Sequence, residues 1–112
     1  MRRLIQWGLG ACLGLGLTLS GACWAQAAFP NKTLRHVVPY GPGGAADALG
    51  RMVAERLSRS LGQQVLVDNV AGAGTVLGVE AVAKAPADGH TLLLASFACF
   101  VSNPIMFGAL SY

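Results

Sequence analysis

The chain has 112 residues, of which 54% are hydrophobic and 12% charged, and its formal net charge is +3. Part of the positive charge lies in the first three residues, and no lysine–arginine cluster follows that could track a nucleic-acid backbone. Only one of the three cysteines lies beyond position 27 and neither histidine has a companion at metal-ligand spacing, so the composition argues against a disulfide-stabilised domain and a metalloprotein.

The first 27 residues have the pattern of a secretory signal peptide. Two arginines near the start precede an apolar run over 8–19, and small residues lead to the sequence A-Q-A at 25–27. A basic start, an apolar run of about 7–15 residues and an A-x-A ending are the parts of such a peptide. We therefore expect cleavage after Ala27 rather than a retained membrane anchor. We do not favour a lipid anchor on Cys23, because Leu19 stands one place too far from it for the usual motif.

Strand and helix patterns alternate along the remaining segment, 28–112. Strands are predicted at Leu34–Pro39, Val65–Asp68 and Thr91–Ala95, and helices at about Ala45–Leu61 and Thr75–Lys84. This βαβαβ order predicts an α/β fold with an open parallel sheet, in which the last and most apolar strand is expected to be central. A sheet of this kind needs helices on both faces and the segment is short, so we interpret it as the opening part of a larger domain.

The helix patterns also predict which side chains face the sheet. The first helix should turn an apolar face inward and end at Gly62, and the second should bury a smaller apolar set. The predicted inward residues are Leu49, Met52, Val53 and Leu57 in the first helix and Leu77, Ala81 and Val82 in the second. After the last strand we expect a loop over Ser96–Ser102 and a short helix that begins at Asn103-Pro104 and reaches Phe107.

Each of the first two strands runs into a glycine-containing turn and then a helix. The turns are GPGGAAD at 41–47 and AGAGT at 71–75. Successive right-handed strand–turn–helix units bring both turns to the carboxyl edge of a parallel sheet. Glycine allows main-chain N–H groups to approach a ligand closely, and the following helix N-terminus carries partial positive charge. The two turns are therefore predicted to form a site for a small anion.

A dinucleotide site is an alternative interpretation of the same residues. Positions 41–46 match G-x-G-x-x-A, and Asp68 ends the second strand where an acid would bind a ribose. Three features argue against it. Pro42 has no N–H group, Asp47 places negative charge in the first helical turn, and the signal peptide predicts export away from cytoplasmic cofactors.

A series of motifs along 29–112 supports a more specific interpretation. In order, the chain has an FP lead-in, the turn PYGPGGAAD, LGQ after the first helix, DN-x-x-GAGT, a helix containing GVEAVA, the strand PADGHTLLL and a downstream NP. This series resembles the periplasmic solute receptors of tripartite tricarboxylate transporters, the Bug-type receptors. The resemblance covers about the first third of such a receptor.

The resemblance implies a fold, a location and a function. The segment 28–112 would be an incomplete N-terminal lobe, the first part of a type II periplasmic-binding-protein lobe. The whole receptor would capture a small carboxylate between two lobes in the periplasm and deliver it to a membrane permease. We expect no enzyme activity and no cofactor, because the sequence contains no paired nucleophile and base and no metal-ligand cluster.

The resemblance also implies which residues bind the carboxylate, mainly through main-chain N–H groups. By position these are Tyr40, Gly41, Gly43, Gly44, Ala45 and Asp47 in the first turn, Gly72, Ala73, Gly74 and Thr75 in the second, and Ser96, Phe97 and Ala98 after the third strand. Asp47 has two interpretations: it caps the first helix, or it accepts a hydrogen bond from the solute.

This chain departs from the family pattern at three places. Ala46 stands where threonine is frequent, and Thr75 replaces the last glycine of the second turn. Phe97 and Phe100 make the third segment more apolar than usual, which favours a ligand with an aromatic or aliphatic portion. Two other hypotheses remain open: a truncated gene product that does not bind, and a short adaptor that docks through an unpaired sheet edge.

Overall fold

The computed structural model describes residues 28–112, and the predicted signal peptide at 1–27 lies outside the described residues. Strands β1, β2 and β3 span Leu34–Val38, Val65–Asn69 and Thr91–Leu93, and helices α1, α2 and α3 span Ala45–Leu61, Val76–Ala83 and Asn103–Phe107. A short 3-10 turn at Ala73–Thr75 precedes α2, and a π-helical turn at Ala98–Ser102 precedes α3. The order of elements confirms the predicted βαβαβ pattern.

The three strands form one parallel sheet in the order β2-β1-β3. Leu34 of β1 is paired with Val65, and Arg35 with Thr91. Within residues 28–112 the central strand is β1, whose Val37 and Val38 are fully buried, and not the third strand as predicted. The sequence of β3 is more apolar, but the second crossover carries the chain past β1 to its free side. Right-handed crossovers in this order place α1 and α2 on opposite faces of the sheet.

Helix α1 begins after Gly44 and ends, as predicted, at Gly62, which adopts a left-handed conformation with φ 67° and donates its N–H to Ser58. The predicted inward face was wrong in part, because Leu49 and Met52 are 50% and 61% exposed. Small residues face the sheet instead. A Cβ atom on Gly50 would lie 2.6 Å from the Val38 side chain. This close approach places the Gly50 side of α1 against β1 and leaves Leu49 and Met52 exposed.

The main core lies under the second half of α1. Leu34, Ala54 and Val65 are buried there, and Leu57, Leu61, Val67 and Leu92 pack against them. Leu57 therefore faces inward as predicted.

Helix α2 packs on the other face through Gly78 and Val79, which are both buried. The prediction that Leu77 faces inward was wrong, because this side chain is 47% exposed. Gly78 is the contact residue because a Cβ atom there would lie 2.6 Å from the Pro39 Cβ. The helix thus approaches Pro39, just after β1, more closely than a residue with a side chain at position 78 would allow.

The segment after β3 is more helical than predicted. Ser96 precedes a helical segment in which the Asn103 N–H donates to the Ala98 carbonyl, the spacing of a π turn. The predicted loop over Ser96–Ser102 was therefore wrong for most of its length, whereas the short helix from Asn103 to Phe107 is confirmed. Among residues 28–112, no helix has the length and apolar character needed to cross a membrane.

Candidate functional site

The three predicted binding segments lie at the same edge of the sheet. Each follows the carboxyl end of one of three parallel strands, so they emerge side by side. The strand order also reverses between β1 and β3, which is where ligands bind in open α/β sheets. The first turn and the segment after β3 flank this crevice, and the Tyr40 hydroxyl lies 2.7 Å from the Ser96 hydroxyl oxygen.

The first turn is held by the buried carboxylate of Asp47. Gly43 donates its N–H to one carboxylate oxygen over 2.9 Å, and Arg51 donates to the same oxygen over 3.1 Å. Asn69, at the end of β2, donates to the other oxygen over 3.0 Å and to the Tyr40 carbonyl over 3.1 Å. Asp47 thus connects the turn, α1 and β2.

These donors also set the titration of Asp47. The hydrogen bond from the Gly43 N–H, followed by those from Arg51 and Asn69, lowers its pKa from 3.8 to about 2. Only 5% of the residue is exposed. The geometry supports the structural interpretation of Asp47, and its role as a direct ligand contact stays a prediction.

The start of α1 presents main-chain N–H groups at this same edge of the sheet. Among residues 28–112, no acceptor faces the N–H groups of Gly44, Ala45 or Ala46, because the first intrahelical bond runs from Ala48 to Gly44. Gly44 and Ala45 are exposed. Unpaired N–H groups at an exposed helix N-terminus are well suited to hold a carboxylate.

The second turn has an unusual backbone. Four successive residues have positive φ: Gly72 at 140°, Ala73 at 45°, Gly74 at 62° and Thr75 at 83°. Thr75 closes the turn by donating its N–H to the Gly72 carbonyl over 3.1 Å. Within the described part of the chain, the N–H groups of Gly72, Ala73 and Gly74 have no acceptor, and Ala73 and Gly74 are exposed.

Side-chain hydrogen bonds join the third segment to both turns. Ser96 contacts Tyr40 and lies 3.5 Å from the Cys99 sulfur, which in turn donates to the Thr75 hydroxyl over 3.5 Å. Cys99 is fully buried, as predicted. Ser96, Phe97 and Ala98 precede the first helical hydrogen bonds, and Cys99 donates its N–H back to the Ser96 carbonyl. The structure thus brings all three predicted segments together.

Large apolar side chains surround this edge. Phe97 and Phe100 are 72% and 58% exposed, and the Phe107 ring lies near Gly74, 3.6 Å from where a Cβ atom of that glycine would stand. Exposed aromatic side chains thus accompany the main-chain N–H groups of the two turns.

The alternative of a ribose site receives no support from Asp68. Its carboxylate is engaged by the Arg35 guanidinium across the sheet, with nitrogen and oxygen 2.5 Å apart. In residues 28–112, no group of three histidine, cysteine or acidic residues is placed to hold a metal ion.

Sequence reasoning missed two asparagines that shape the site. Asn69 joins Asp47 to the Tyr40 carbonyl, and the buried Asn103 donates to the Gly74 carbonyl over 2.8 Å and to the Thr75 hydroxyl over 3.0 Å. The position of Asn69 at the end of a parallel strand was a usable signal. Asn103 was interpreted only as the start of a helix, and its role depends on the π turn before it.

Comparison with known proteins identifies relatives of this chain. The sequence profile described as "Tripartite tricarboxylate transporter family receptor" matches residues 49–112. A protein of the tcbD-tcbE intergenic region of a Pseudomonas species is 54% identical over 69 residues, which cover 62% of this chain and 20% of that protein. Protein BugT of Bordetella pertussis is 43% identical over 88 residues, which cover 77% of this chain and 27% of BugT.

Solved structures resemble the fold directly. A periplasmic transporter superposes with a TM-score of 0.73 at 40% identity, over 76% of this chain and 29% of its own. MatC from Rhodopseudomonas palustris with bound malate gives a TM-score of 0.70 at 34% identity, over 75% of this chain and 29% of MatC. The periplasmic binding protein BugD gives a TM-score of 0.56 at 38% identity, over 58% of this chain and 22% of BugD. The chain thus spans between about a fifth and three tenths of the proteins that it matches.

Proposed function

The chain belongs to the tripartite tricarboxylate transporter receptor family, and from this premise we propose that its two glycine turns and the segment after β3 bind one carboxylate group of a small metabolite. The proposed location is the periplasm, reached through the predicted signal peptide, and the proposed partner is the membrane permease of such a transporter. The fold and the relatives support a solute-binding role rather than an enzymatic one.

One observation carries the proposal: within residues 28–112, N–H groups of the two glycine turns make no hydrogen bond and lie at the carboxyl edge of one sheet, beside the segment after β3. The two turns lead into α1 and α2, whose N-termini carry partial positive charge. An anion is the ligand that satisfies such donors without a cationic side chain. The malate bound to the related MatC is a dicarboxylate and is therefore a suitable probe.

In a two-lobed receptor a second lobe would close over the solute and cover its far end. The exposed Phe97 and Phe100 beside the turns favour a solute with an aliphatic or aromatic portion. Within residues 28–112 the ligand would contact one lobe, so we expect weak binding with a dissociation constant in the millimolar range, or about −4 kcal/mol.

We expect malate to shift the amide NMR signals of the two glycine turns and of the segment after β3 when it is titrated into the 112-residue chain at constant ionic strength. The signals that should respond are those of Gly44, Ala45, Ala46, Ala73, Gly74 and Phe97. At a malate concentration equal to the dissociation constant, the stabilisation is only about 0.4 kcal/mol, so thermal shifts should be small. A chain in which none of these signals responds at tens of millimolar malate would contradict the proposal.

A single substitution can remove one donor and leave the helix intact. Ala45 is the first residue of α1, where proline is tolerated, and the extended Gly44 before it, with φ −88° and ψ 177°, is compatible with a following proline. Ala45→Pro should therefore weaken malate binding about fivefold without loss of helical circular dichroism. Ala45→Ser, which keeps the N–H, is the matched comparison and should retain more affinity than the proline variant.

A further inference from the structure

The second turn is held in a conformation that its own residues disfavour. Ala73 and Thr75 have positive φ although neither is glycine. A left-handed conformation brings the Cβ atom of such a residue too close to the following carbonyl oxygen, so two of them in one turn need support from their surroundings. The N–H groups of Ala73 and Gly74, which the proposed site uses, depend on this conformation.

The support comes from the amide of Asn103. Its Nδ2 donates to the Gly74 carbonyl over 2.8 Å and to the Thr75 hydroxyl over 3.0 Å, and only 3% of the residue is exposed. The Cys99 thiol donates to the same hydroxyl over 3.5 Å. The two donors of the Asn103 amide are thus directed at the second half of the turn.

The π turn at Ala98–Ser102 makes this contact possible. It inserts one extra residue before α3, which rotates the following side chains by about 100° relative to a regular α-helix. Asn103, the first residue after that turn, therefore faces Thr75. A regular helix would direct a neighbouring side chain to this place.

We propose that Asn103 is a positioning residue of the carboxylate site: it holds the second turn left-handed and so directs the N–H groups of Ala73 and Gly74 toward the ligand. This inference rests on the proposed function. Asn103 acts through Gly74 and Thr75, whose backbone and hydroxyl it holds. It also couples the segment after β3 to the turn after β2.

The test is the same malate titration on the Asn103→Leu variant of the full chain, which keeps the size of the side chain and removes its donors. We expect the malate-induced shifts at Ala73 and Gly74 to fall at least fivefold, while those at Gly44 and Ala46 stay within twofold of the wild type. A general loss of stability would reduce both sets together. Ser102→Ala is the control, because within the described residues the Ser102 hydroxyl makes no hydrogen bond.

Thr75→Val provides the second variant in case Asn103→Leu does not fold. Valine keeps the branched shape and the backbone strain of threonine but removes the hydroxyl that Asn103 and Cys99 contact, so it should give the same selective loss. The role of Asn103 would be overturned, and the proposed function would stand, in two cases. In the first, the shifts at the second turn stay within twofold of the wild type in the folded variants; in the second, the shifts fall equally at both turns. A wild-type chain with no response at either turn would overturn the proposed function and this inference with it.

Discussion

Replacement of Gly78 by alanine should lower the free energy of unfolding by about 2 kcal/mol and the melting temperature by about 10 °C. The added Cβ would lie 2.6 Å from the Pro39 Cβ and 2.9 Å from both the Pro39 Cα and the Val70 carbonyl oxygen. Two of these atoms belong to the backbone, so α2 itself must move away from the sheet. Alanine adds about 1 kcal/mol of helix propensity, which offsets only part of the cost.

Gly41→Ala is the matched control for this stability measurement. No atom lies within 4 Å of a Cβ built on Gly41, and its φ is outside the left-handed region. Its effect should stay within about 0.5 kcal/mol. Urea denaturation of the three proteins checks the prediction, and a Gly78→Ala variant as stable as the control would show that α2 does not depend on this close contact.

Acid should destabilise the wild-type chain more than the Asp47→Asn variant. The pKa of Asp47 is lowered from 3.8 to about 2 by the Gly43 N–H, Arg51 and Asn69. A carboxylate with a depressed folded-state pKa contributes its full stability above the unfolded value and loses it as the pH falls through the folded value. The free energy of unfolding of the wild type should therefore exceed that of the variant most at pH 6. At pH 2.5 this difference should be less than half as large.

The pH dependence of urea denaturation midpoints measures this difference. Asp88 provides a control, because the Lys32 ammonium and then the His90 N–H lower its pKa to about 2 as well, in a loop away from the turns. Asp88→Asn should keep the part of the acid sensitivity that Asp47 causes. A constant gap between wild type and Asp47→Asn from pH 6 to pH 2.5 would contradict the assigned network.

Local patterns predicted the elements well and their burial less well. The bounds of α1 follow from its apolar period and from Gly62, and both signals are local. The exposure of Met52 and the central place of β1 depend on how the elements pack. Hydropathy favoured β3 as the centre, but strand order is set by the crossovers, and a helix packs on its glycine and alanine face when that allows the closest approach.

The positions of the two glycine turns were predictable because parallel strands bring their carboxyl ends to one edge. The hydrogen bonds that hold those turns were harder to predict. Asn69 reaches Asp47 from another strand, and Asn103 reaches Thr75 from beyond a π turn that no sequence period indicated. Contacts between residues distant in sequence have no local signature, so the turns were predicted and their supports were not.

The central place of β1 has a consequence for the order in which the sheet assembles during synthesis. The first strand to leave the ribosome has both its partners downstream, and the second of them begins only at Thr91. No hairpin is available to protect it in the meantime, since both pairings are parallel and each needs a crossover. The sheet of residues 28–112 therefore cannot be completed before Thr91–Leu93 has been synthesised, and until then one edge of β1 has no strand to pair with.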